Sequence, residues 1–508
     1  MKNYLKDIFI HLDGVIMAPI YELISHNQDF NAKNTISQNS NLYGAYFNVL
    51  FKILTAQKLI ERKNKNSENF IWSEQAKIIL NEKEKFKGIR EYYLSSINLL
   101  EGHKNLSDID WKTPIDNFNS INEIYGSCSI ISKHLEGSII APILIFLSKK
   151  SNYKNFNDDI SLRLDKSLFD FMKKINFLNK GKISEKGKYL ISKSYAYGVT
   201  SSYMRTLVQI ENLCFNEKSK GSLSIKHISS KIKIKPKNTE NHVDRPLNVW
   251  GSGKSHKTYF KYIDEYIKNI FNLPIKNQPQ GIADMGCGDG SFLLHLYELV
   301  KYRTKRGKML DDYPITLIGA DYNQAAIEQT KATFNDSDNQ PITIIGDISR
   351  PNKFASDLKR NHNINISNFL NVRSFLDHNR RYRQFKKEND LSFINETSNS
   401  FVWRGKSLSN YEVQKNLVNH FKSWKKYISK YGLLVLELHT ISLNDVHKNF
   451  GKIPMTAYIG THGFSDQFIV EYEIYKECIN MAGLNTSNKF EKFFPNEDIK
   501  MISINLIS

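Results

Sequence analysis

The chain has 508 residues, and 40% of them are hydrophobic, which is enough for two or three domains with sizeable cores. Its formal net charge is +19, which would suit an acidic protein, an anionic lipid or a nucleic acid. Lys residues are abundant everywhere, however, and no dense Lys/Arg stripe with interleaved aromatic residues occurs, so a solvated basic surface is expected.

The cysteines and the apolar segments indicate the cellular compartment. The four cysteines are far apart and form no Cys-x-x-Cys pair, which argues against a zinc knuckle or a disulfide framework. His11 and Asp13 interrupt the N-terminal apolar runs, unlike the core of a signal peptide. The longest apolar run, residues 139–147, is about half the roughly 20 residues of a membrane helix. The pattern predicts a cytoplasmic protein without a membrane span.

The first half of the chain contains a duplication. Residues 11–20 (His-Leu-Asp-Gly-Val-Ile-Met-Ala-Pro-Ile) recur at residues 134–143 as His-Leu-Glu-Gly-Ser-Ile-Ile-Ala-Pro-Ile. A helical segment follows each copy, at 50–60 and 168–178, and then a Ser-Glu-x-x-Lys helix start at Ser73 and Ser184. This order resembles the winged-helix modules that precede many methyltransferase cores. We therefore predict a first module at 1–123 and a second at 124–217.

The resemblance implies that these modules form a homodimer interface or cover the substrate. A DNA-reading module would need a recognition helix rich in Arg, Asn and Gln near its N-terminus. The helix at 168–178 offers only Lys173, Lys174 and Asn176, so nucleic acid is not the expected partner. The polar stretch 218–244, rich in Lys, Ser and Asn, is predicted to be a linker. Beyond it, Trp250 and Tyr259 are expected to cover a cofactor ahead of a helix at 259–271.

A glycine-rich loop begins the second half. Residues 281–290 (Gly-Ile-Ala-Asp-Met-Gly-Cys-Gly-Asp-Gly) run from a short strand into a loop with glycines at 286, 288 and 290, and a helix follows. A dinucleotide loop would need its third glycine at 291, where Ser291 stands. The spacing resembles motif I of class I S-adenosylmethionine (SAM) methyltransferases. Asp284, Gly286, Gly288 and Gly290 are therefore predicted to contact SAM.

Two further acidic residues end predicted strands in the right order. Asp321 closes a strand at 315–320, where a carboxylate can accept hydrogen bonds from both ribose hydroxyls. Asp347 follows a strand at 342–345 and could reach the adenine amino group. Three strand-end carboxylates, one just before the glycine loop and two after it, make SAM the predicted cofactor.

The remaining elements complete an α/β pattern. Strands are predicted at 364–370 and 433–438, with a helix at 417–431 between them, and two late strands at 489–494 and 500–507. The predicted fold is a class I SAM methyltransferase core over 245–508, with a Rossmann-like, doubly wound sheet and an antiparallel last strand. The tandem, mainly helical winged-helix-like modules precede it.

Two histidines lie near the predicted catalytic edge. His439 follows the strand at 433–438, and His462 and Gln467 lie in a segment, 458–467, predicted to be a polar loop. Two histidines with a carboxamide can bind a divalent metal and leave positions open for a substrate. The alternative is that His439 packs under the cofactor and that His462 is a loop histidine.

Together, these motifs resemble the C-methyltransferase domains of polyketide synthase loading modules, such as those of the apratoxin and saxitoxin pathways. The segments that carry the resemblance are residues 286–290, 305–313, 436–440 and 461–467. The resemblance implies a mononuclear iron or manganese site with His439, His462 and Gln467 as ligands. It also implies methylation of the α-carbon of a malonyl group on an acyl carrier protein. No carrier domain is recognised in the chain, so a carrier supplied in trans is expected.

Two other functions remain open from the sequence. The first is a metal-independent O- or N-methyltransferase of a small metabolite that uses its N-terminal modules for dimerisation. The second is a nucleic-acid-binding regulator that keeps a SAM fold as a sensor, for which a salt-dependent DNA affinity without methyl transfer would be typical.

Overall fold

A computed structural model describes residues 4–31, 36–37, 44–63, 69–149, 164–216, 241–383 and 391–508. These residues form two compact units. The first comprises Met1–Ser252, Val402–Ser407 and Leu443–Asp466, and the second comprises Gly253–Phe401, Leu408–Ser442 and Gln467–Ser508. The predicted linker, 218–244, lies outside the described residues up to position 240.

The first unit is mainly helical. Its described helices are α1 (Tyr4–His26), α2 (Phe47–Ala56), α3 (Glu74–Asn81), α4 (Ile89–Leu100), α5 (Lys112–Tyr125), α6 (Ile130–Lys149), α7 (Lys166–Lys174), α8 (Glu185–Ser192), α9 (Ser194–Ser201), α10 (Met204–Leu207), α11 (Ile210–Phe215), α18 (Leu443–Lys448) and α19 (Met455–Gly463). Its short strands are β1 (Ile36–Ser37), β2 (Ile60–Arg62), β3 (Asn69–Trp72), β4 (Leu178–Asn179) and β5 (Lys182–Ile183). Helix α12 (Arg245–Phe260) begins in this unit and ends in the second.

The order of elements repeats as the duplicated sequence predicts. Helices α1, α2 and α3, with the β2–β3 hairpin between the last two, correspond to α6, α7 and α8 with the β4–β5 hairpin. In each copy a serine, Ser73 or Ser184, caps the third helix by accepting a hydrogen bond from a backbone N–H in its first turn. The repeated sequence therefore encodes a repeated winged-helix-like arrangement.

The two long helices of the repeat cross at their glycines. A Cβ atom on Gly14 of α1 would lie 2.3 Å from the carbonyl oxygen of His134, and one on Gly137 of α6 would lie 2.4 Å from Cα of His11. Only glycine allows the two backbones to approach this closely. The His-Leu-acid-Gly motif is conserved between the copies because each copy forms half of the same crossing.

Helices α1 and α6 are also long and apolar enough to cross a membrane by length and composition, with 23 and 20 residues. Most of each apolar window, 89% and 83%, is buried inside the structure. Their mutual packing in the interior of the first unit accounts for this apolar length.

The second unit is built on a seven-stranded sheet in the order β13-β14-β12-β9-β6-β7-β8. The strands are β6 (Gly281–Met285), β7 (Thr316–Asp321), β8 (Ile342–Ile345), β9 (Phe369–Ser374), β12 (Leu433–Leu438), β13 (Lys492–Asn496) and β14 (Ile499–Ile507). Its helices are α13 (Asp264–Phe271), α14 (Ser291–Arg303), α15 (Gln324–Thr333), α16 (Pro351–His362), α17 (Asn410–Ile428) and α20 (Tyr472–Met481). A small hairpin, β10 (Phe401–Trp403) and β11 (Lys406–Leu408), precedes α17 in the chain, and its residues Val402–Ser407 belong to the first unit.

Strands β12, β9, β6, β7 and β8 are parallel, and β14 pairs antiparallel with β12, as predicted. Every residue of β6 is buried, which is typical of a strand covered by helices on both faces. On one face, α13 and α14 contribute to a hydrophobic cluster with Ile282, Leu370 and Leu434. On the other face, Trp424 of α17 lies over the guanidinium group of Arg373. The predicted doubly wound sheet of a class I SAM methyltransferase is confirmed.

Several predicted elements differ in their bounds; for example, the helix predicted at 417–431 is Asn410–Ile428. The fourth strand is Phe369–Ser374 and not 364–370, because the Asn365 side chain accepts from the N–H of Ser367 and starts a 3₁₀ turn. The helix predicted at 259–271 is divided between α12 and α13. Most of the segment predicted as a polar loop, 458–467, is helical, since α19 buries Met455, Ala457 and Ile459. Polar residues such as Thr461 concealed this helix in the sequence.

Candidate active site

The glycine loop joins β6 to α14 at the carboxyl edge of the sheet. Gly286, Gly288 and Gly290 have φ angles of 81°, 56° and 76°, a region that other residues rarely adopt. Gly286 donates from its backbone N–H to the Ala320 carbonyl oxygen at 2.7 Å, which ties the loop to the end of β7. Gly290 precedes the first residue of α14, so the loop leads directly to a helix N-terminus with unsatisfied N–H groups.

Asp284 lies in β6, just before this loop, and its carboxyl group has no hydrogen-bond partner among the described residues. Its side chain is buried. Burial raises its pKa well above the usual range, and the carboxylates of Asp321 and Asp289 raise it further. A cationic ligand would stabilise the charged form of this buried group. The site therefore fits SAM, which carries an ammonium group and a sulfonium centre.

The two other predicted carboxylates lie at neighbouring strand ends. Asp321 accepts from the N–H of Gly288 at 3.2 Å and from the N–H of Asn323 at 2.9 Å, so its carboxylate is fixed beside the glycine loop. Asp347 follows the adjacent strand β8 and accepts from the N–H of Ser349 at 2.8 Å. Residues that would hold SAM, namely Asp284, Gly286, Gly288, Gly290, Asp321 and Asp347, thus share one edge of the second unit.

The last part of α12 packs against the cofactor loop. A Cβ atom on Gly253 would lie 2.2 Å from Oδ2 of Asp289, so a larger residue there would have to displace the Asp289 carboxylate. One turn later the ring of His256 stacks on Phe375, with 4.0 Å between centroids and 27° between planes. Tyr259, predicted to cover the cofactor, contacts Phe375 and Phe494. Trp250 packs against Gly198 in the first unit.

A histidine and a glutamate form a close pair at the ends of β9 and β12. Nδ1 of His378 lies 2.5 Å from Oε1 of Glu437. Glu437 also accepts from the backbone N–H groups of Asp377, at 2.7 Å, and Leu438, at 2.8 Å. The buried carboxylate therefore fixes the orientation of the imidazole and directs its Nε2 atom away from Glu437. This arrangement suits a general base.

A buried charge network supports the loop that carries His378. Asp377 bonds Nη1 of Arg373 at 2.7 Å, the ring of His420 at 3.1 Å and the hydroxyl of Tyr475 at 2.7 Å. Burial opposes ionisation of Asp377, but these partners outweigh it and hold its pKa well below the usual range. The loop that joins β9 to His378 is therefore held by several charge-assisted hydrogen bonds.

The three predicted metal ligands have different surroundings. His439 is buried in the second unit, where Nε2 lies 2.7 Å from the Ser503 hydroxyl and Nδ1 lies 3.3 Å from the Val470 carbonyl oxygen. Burial lowers its pKa to about 3. His462 belongs to α19 in the first unit, with Nδ1 2.7 Å from the Tyr458 carbonyl oxygen, and Gln467 is buried in the second unit. No group of three His, Cys, Asp or Glu side chains within the described ranges is arranged to hold a metal ion.

The sequence interpretation did not select His378, Glu437 or His256. Glu437 is the penultimate residue of β12 and His378 lies four positions after β9, and the carboxyl ends of these two parallel strands meet at one edge of the sheet. A search for a carboxylate and an imidazole at the ends of neighbouring parallel strands would have found them. His256 gave no such signal, since its segment resembled a covering loop.

Comparison with known families agrees with this geometry. Residues 240–505, more than half of the chain, match the family model described as the AprA MT2-like domain. Residues 136–217 match the AprA winged helix domain, which corresponds to the second copy of the duplication. None of the curated proteins matches the chain.

Solved structures give only remote similarities. An O-methyltransferase family protein from Burkholderia thailandensis is 10% identical, with 72% of this chain and 93% of that chain covered and a TM-score of 0.39. The citrinin polyketide synthase CMeT domain is 11% identical, with 100% and 89% covered and a TM-score of 0.33. The CurJ carbon methyltransferase is 11% identical, with 67% and 78% covered and a TM-score of 0.32. These TM-scores lie below 0.5, so the similarities identify neither substrate nor reaction.

The family match covers the glycine loop, the strand-end carboxylates and the sheet of the second unit as far as residue 505 of β14. The chain therefore belongs to the AprA MT2-like family and is a SAM-dependent methyltransferase.

Proposed function

We propose that this enzyme methylates the α-carbon of an acyl thioester, such as a malonyl group on an acyl carrier protein, in polyketide or related biosynthesis. The observation that carries the proposal is the pair His378–Glu437, because carbon becomes nucleophilic only after a base removes its proton. The loop that holds His378 also contacts the cofactor loop. A Cβ atom on Gly286 would lie 2.7 Å from Cδ2 of Leu376, so base and cofactor loop adjoin.

In the proposed reaction, Nε2 of His378 accepts the proton from the α-carbon, and the electron pair of the broken C–H bond is delocalised onto the thioester oxygen. Glu437 stabilises the imidazolium that forms, since it accepts from Nδ1. Bound SAM supplies an electrophilic methyl group on its sulfonium sulfur. His378 then releases the proton to solvent, which restores the base.

The choice of acceptor rests on the family and on charge. The matching family model is the AprA MT2-like domain, and the sequence motifs resemble loading-module C-methyltransferases. Acyl carrier proteins are acidic, and a chain of net charge +19 can attract an acidic partner over a long range. A carrier-bound substrate is therefore proposed in preference to a free acid.

The resemblance also implies an iron or manganese ion on His439, His462 and Gln467. His439 does not fit that role in this structure, because both ring nitrogens lie within hydrogen-bond distance of Ser503 or Val470. A metal ion on either nitrogen would have to displace one of these partners. The proposed reaction therefore includes no metal step. Elemental analysis of the wild type and of His439→Gln tests the ligand set. Metal that is bound by the wild type and lost from the variant would show that His439 is a metal ligand.

Mass spectrometry tests the proposed acceptor. Malonyl carrier protein, malonyl-coenzyme A and free malonate are each incubated with SAM and the enzyme. A gain of about one methylene mass on the carrier-bound substrate, with a rate that falls with added salt, is expected. Equal rates and equal salt sensitivity for the carrier and coenzyme A substrates would remove the reason to propose a carrier. Methylation of small alcohols or amines instead would support the rival O- or N-methyltransferase.

A further inference from the structure

A second histidine, His256, lies in the same part of the second unit as the proposed base. Its Nδ1 atom is 3.3 Å from the Oγ atom of Ser374, and its ring stacks on Phe375. Phe375 is itself anchored, since its N–H donates to the Leu436 carbonyl oxygen at 2.7 Å. His378 follows three positions later on the same loop. His256 is therefore fixed by the loop that carries the proposed base.

The other ring nitrogen of His256, Nε2, has no hydrogen-bond partner among the described residues. This nitrogen is also not fully buried. Nε2 therefore retains contact with solvent, unlike the nitrogens of His439, which both have protein partners. A fixed, accessible imidazole nitrogen beside a cofactor loop is available to a substrate.

The surroundings favour a neutral imidazole that donates from Nε2. Burial, with a smaller contribution from the proximity of His378, lowers the pKa of His256 to about 3. A neutral imidazole has one donor and one acceptor nitrogen. In the tautomer in which Nδ1 accepts from the Ser374 hydroxyl, 3.3 Å away, the proton resides on Nε2. A neutral imidazole of this kind can polarise a carbonyl group by hydrogen bonding without acting as a base.

We propose that His256 is a further catalytic residue, whose Nε2–H donates a hydrogen bond to the thioester oxygen of the acceptor while His378 removes the α-proton. This inference rests on the proposed function. As the C–H bond breaks, its proton moves to His378, and its electron pair passes through the new C=C bond to oxygen. A donor aimed at that oxygen stabilises the enolate more than the substrate, so it accelerates the step.

Three variants separate the donor from the ring. His256→Phe keeps an aromatic ring on Phe375 but removes the N–H group, whereas His256→Gln keeps an N–H donor. Ser374→Ala leaves the imidazole but removes the hydroxyl that fixes its tautomer. His295→Phe is the matched control, because His295 also packs beside an aromatic ring, that of Phe260, and its Nε2 bonds Asp264 on the surface side of α13.

The measurement is exchange of the α-proton of malonyl-pantetheine for deuterium, followed by NMR with S-adenosylhomocysteine present, so that no methyl transfer occurs. For His256→Phe we expect an enzyme-dependent exchange rate and a kcat about 10²-fold below those of the wild type, with KM changed less. His256→Gln should retain most of the rate, Ser374→Ala should lose several-fold, and His295→Phe should match the wild type. SAM binding, measured by calorimetry, should be unchanged in all four.

If His256→Phe exchanges the α-proton as fast as the wild type does, the role of His256 is overturned and the proposed function is left intact. Equal loss in His256→Gln and His256→Phe would also overturn the donor role, since the former keeps an N–H group. No enzyme-dependent exchange by the wild type, in contrast, would reject carbon methylation itself.

Discussion

Nδ1 of His378 lies 2.5 Å from Oε1 of Glu437, although the two residues are 59 positions apart in the sequence. The parallel pairing of β9 with β12 brings their carboxyl ends together and so creates this contact. Two backbone N–H groups hold the carboxylate in place. In the proposed reaction this pair is a base, His378, that is oriented by a buried acid, Glu437.

Removal of either member of the pair should stop catalysis without loss of the cofactor. His378→Ala and Glu437→Gln are expected to lower kcat by about 10²- to 10⁴-fold, because the first removes the base and the second weakens its orientation. Methyl-transfer assays and SAM calorimetry on the same preparations measure the two effects. His362→Ala, at the exposed end of α16, is the control. Full activity of His378→Ala would mean that another group removes the proton.

Asp321 is expected to contribute directly to SAM affinity. Its fixed carboxylate can accept from both ribose hydroxyls, and hydrogen bonds to a charged group contribute about 1.5 to 3 kcal/mol. Asp321→Ala should therefore weaken SAM binding about tenfold to hundredfold in calorimetry. Asp338→Ala, which removes an exposed carboxylate paired with Lys301, should bind SAM as the wild type does. Equal affinities of the two variants would reject the ribose assignment.

Gly253 should be intolerant of even one methyl group. In Gly253→Ala the new Cβ would displace the Asp289 carboxylate, which accepts from the N–H of Ser291 at the start of α14. Such overpacking typically costs about 1 to 3 kcal/mol. We expect a lower Tm and weaker SAM binding, measured by thermal unfolding with and without SAM. Lys257→Ala, on the exposed side of the same helix, is the control. A variant with unchanged Tm and SAM affinity would show that the Asp289 carboxylate can move aside without a measurable cost.

The stability of the first unit should depend on the protonation of Asp13. Burial raises its pKa to about 8, although the Ala457 N–H, 2.8 Å away, opposes the rise. The folded state therefore binds this proton more tightly than the unfolded state. The contribution is complete below the unfolded pKa near 3.8 and is lost as pH rises through about 8.

Urea unfolding of wild type and Asp13→Asn at pH 4 to 9 measures this effect. The asparagine keeps an oxygen for the Ala457 N–H but cannot ionise. The difference in free energy of unfolding should change with pH by up to about 1.4 kcal/mol per pH unit between those limits. Parallel pH profiles for the two proteins would contradict a neutral, buried Asp13.

The sequence predicts the fold well where the pattern is local. The glycine loop and the strand-end residues Asp321 and Asp347 follow apolar strands directly, and parallel strands bring such residues to one edge. The duplication is equally visible, because Gly14 and Gly137 are each required for the same helix crossing. These features need no knowledge of distant contacts.

The site needs such knowledge. The sequence predicts the fourth strand at 364–370, but it does not show that the turn after β9 brings His378 onto Glu437. His439 is more conspicuous in the sequence than Glu437, yet its ring nitrogens contact Ser503 and Val470 and neither is left open for a ligand. His256 acquires its place from the packing of Gly253 on Asp289 and from the ring of Phe375. Only the tertiary structure brings these residues together.

The most direct measurement is the identity of the atom that receives the methyl group. The enzyme is incubated with malonyl carrier protein and SAM that carries a ¹³C-labelled methyl group, and the released acyl product is analysed by NMR. The account predicts a carbon–carbon bond from the label to the α-carbon, and no such product with His378→Ala. A label on oxygen or nitrogen, or an unchanged yield with His378→Ala, would contradict it.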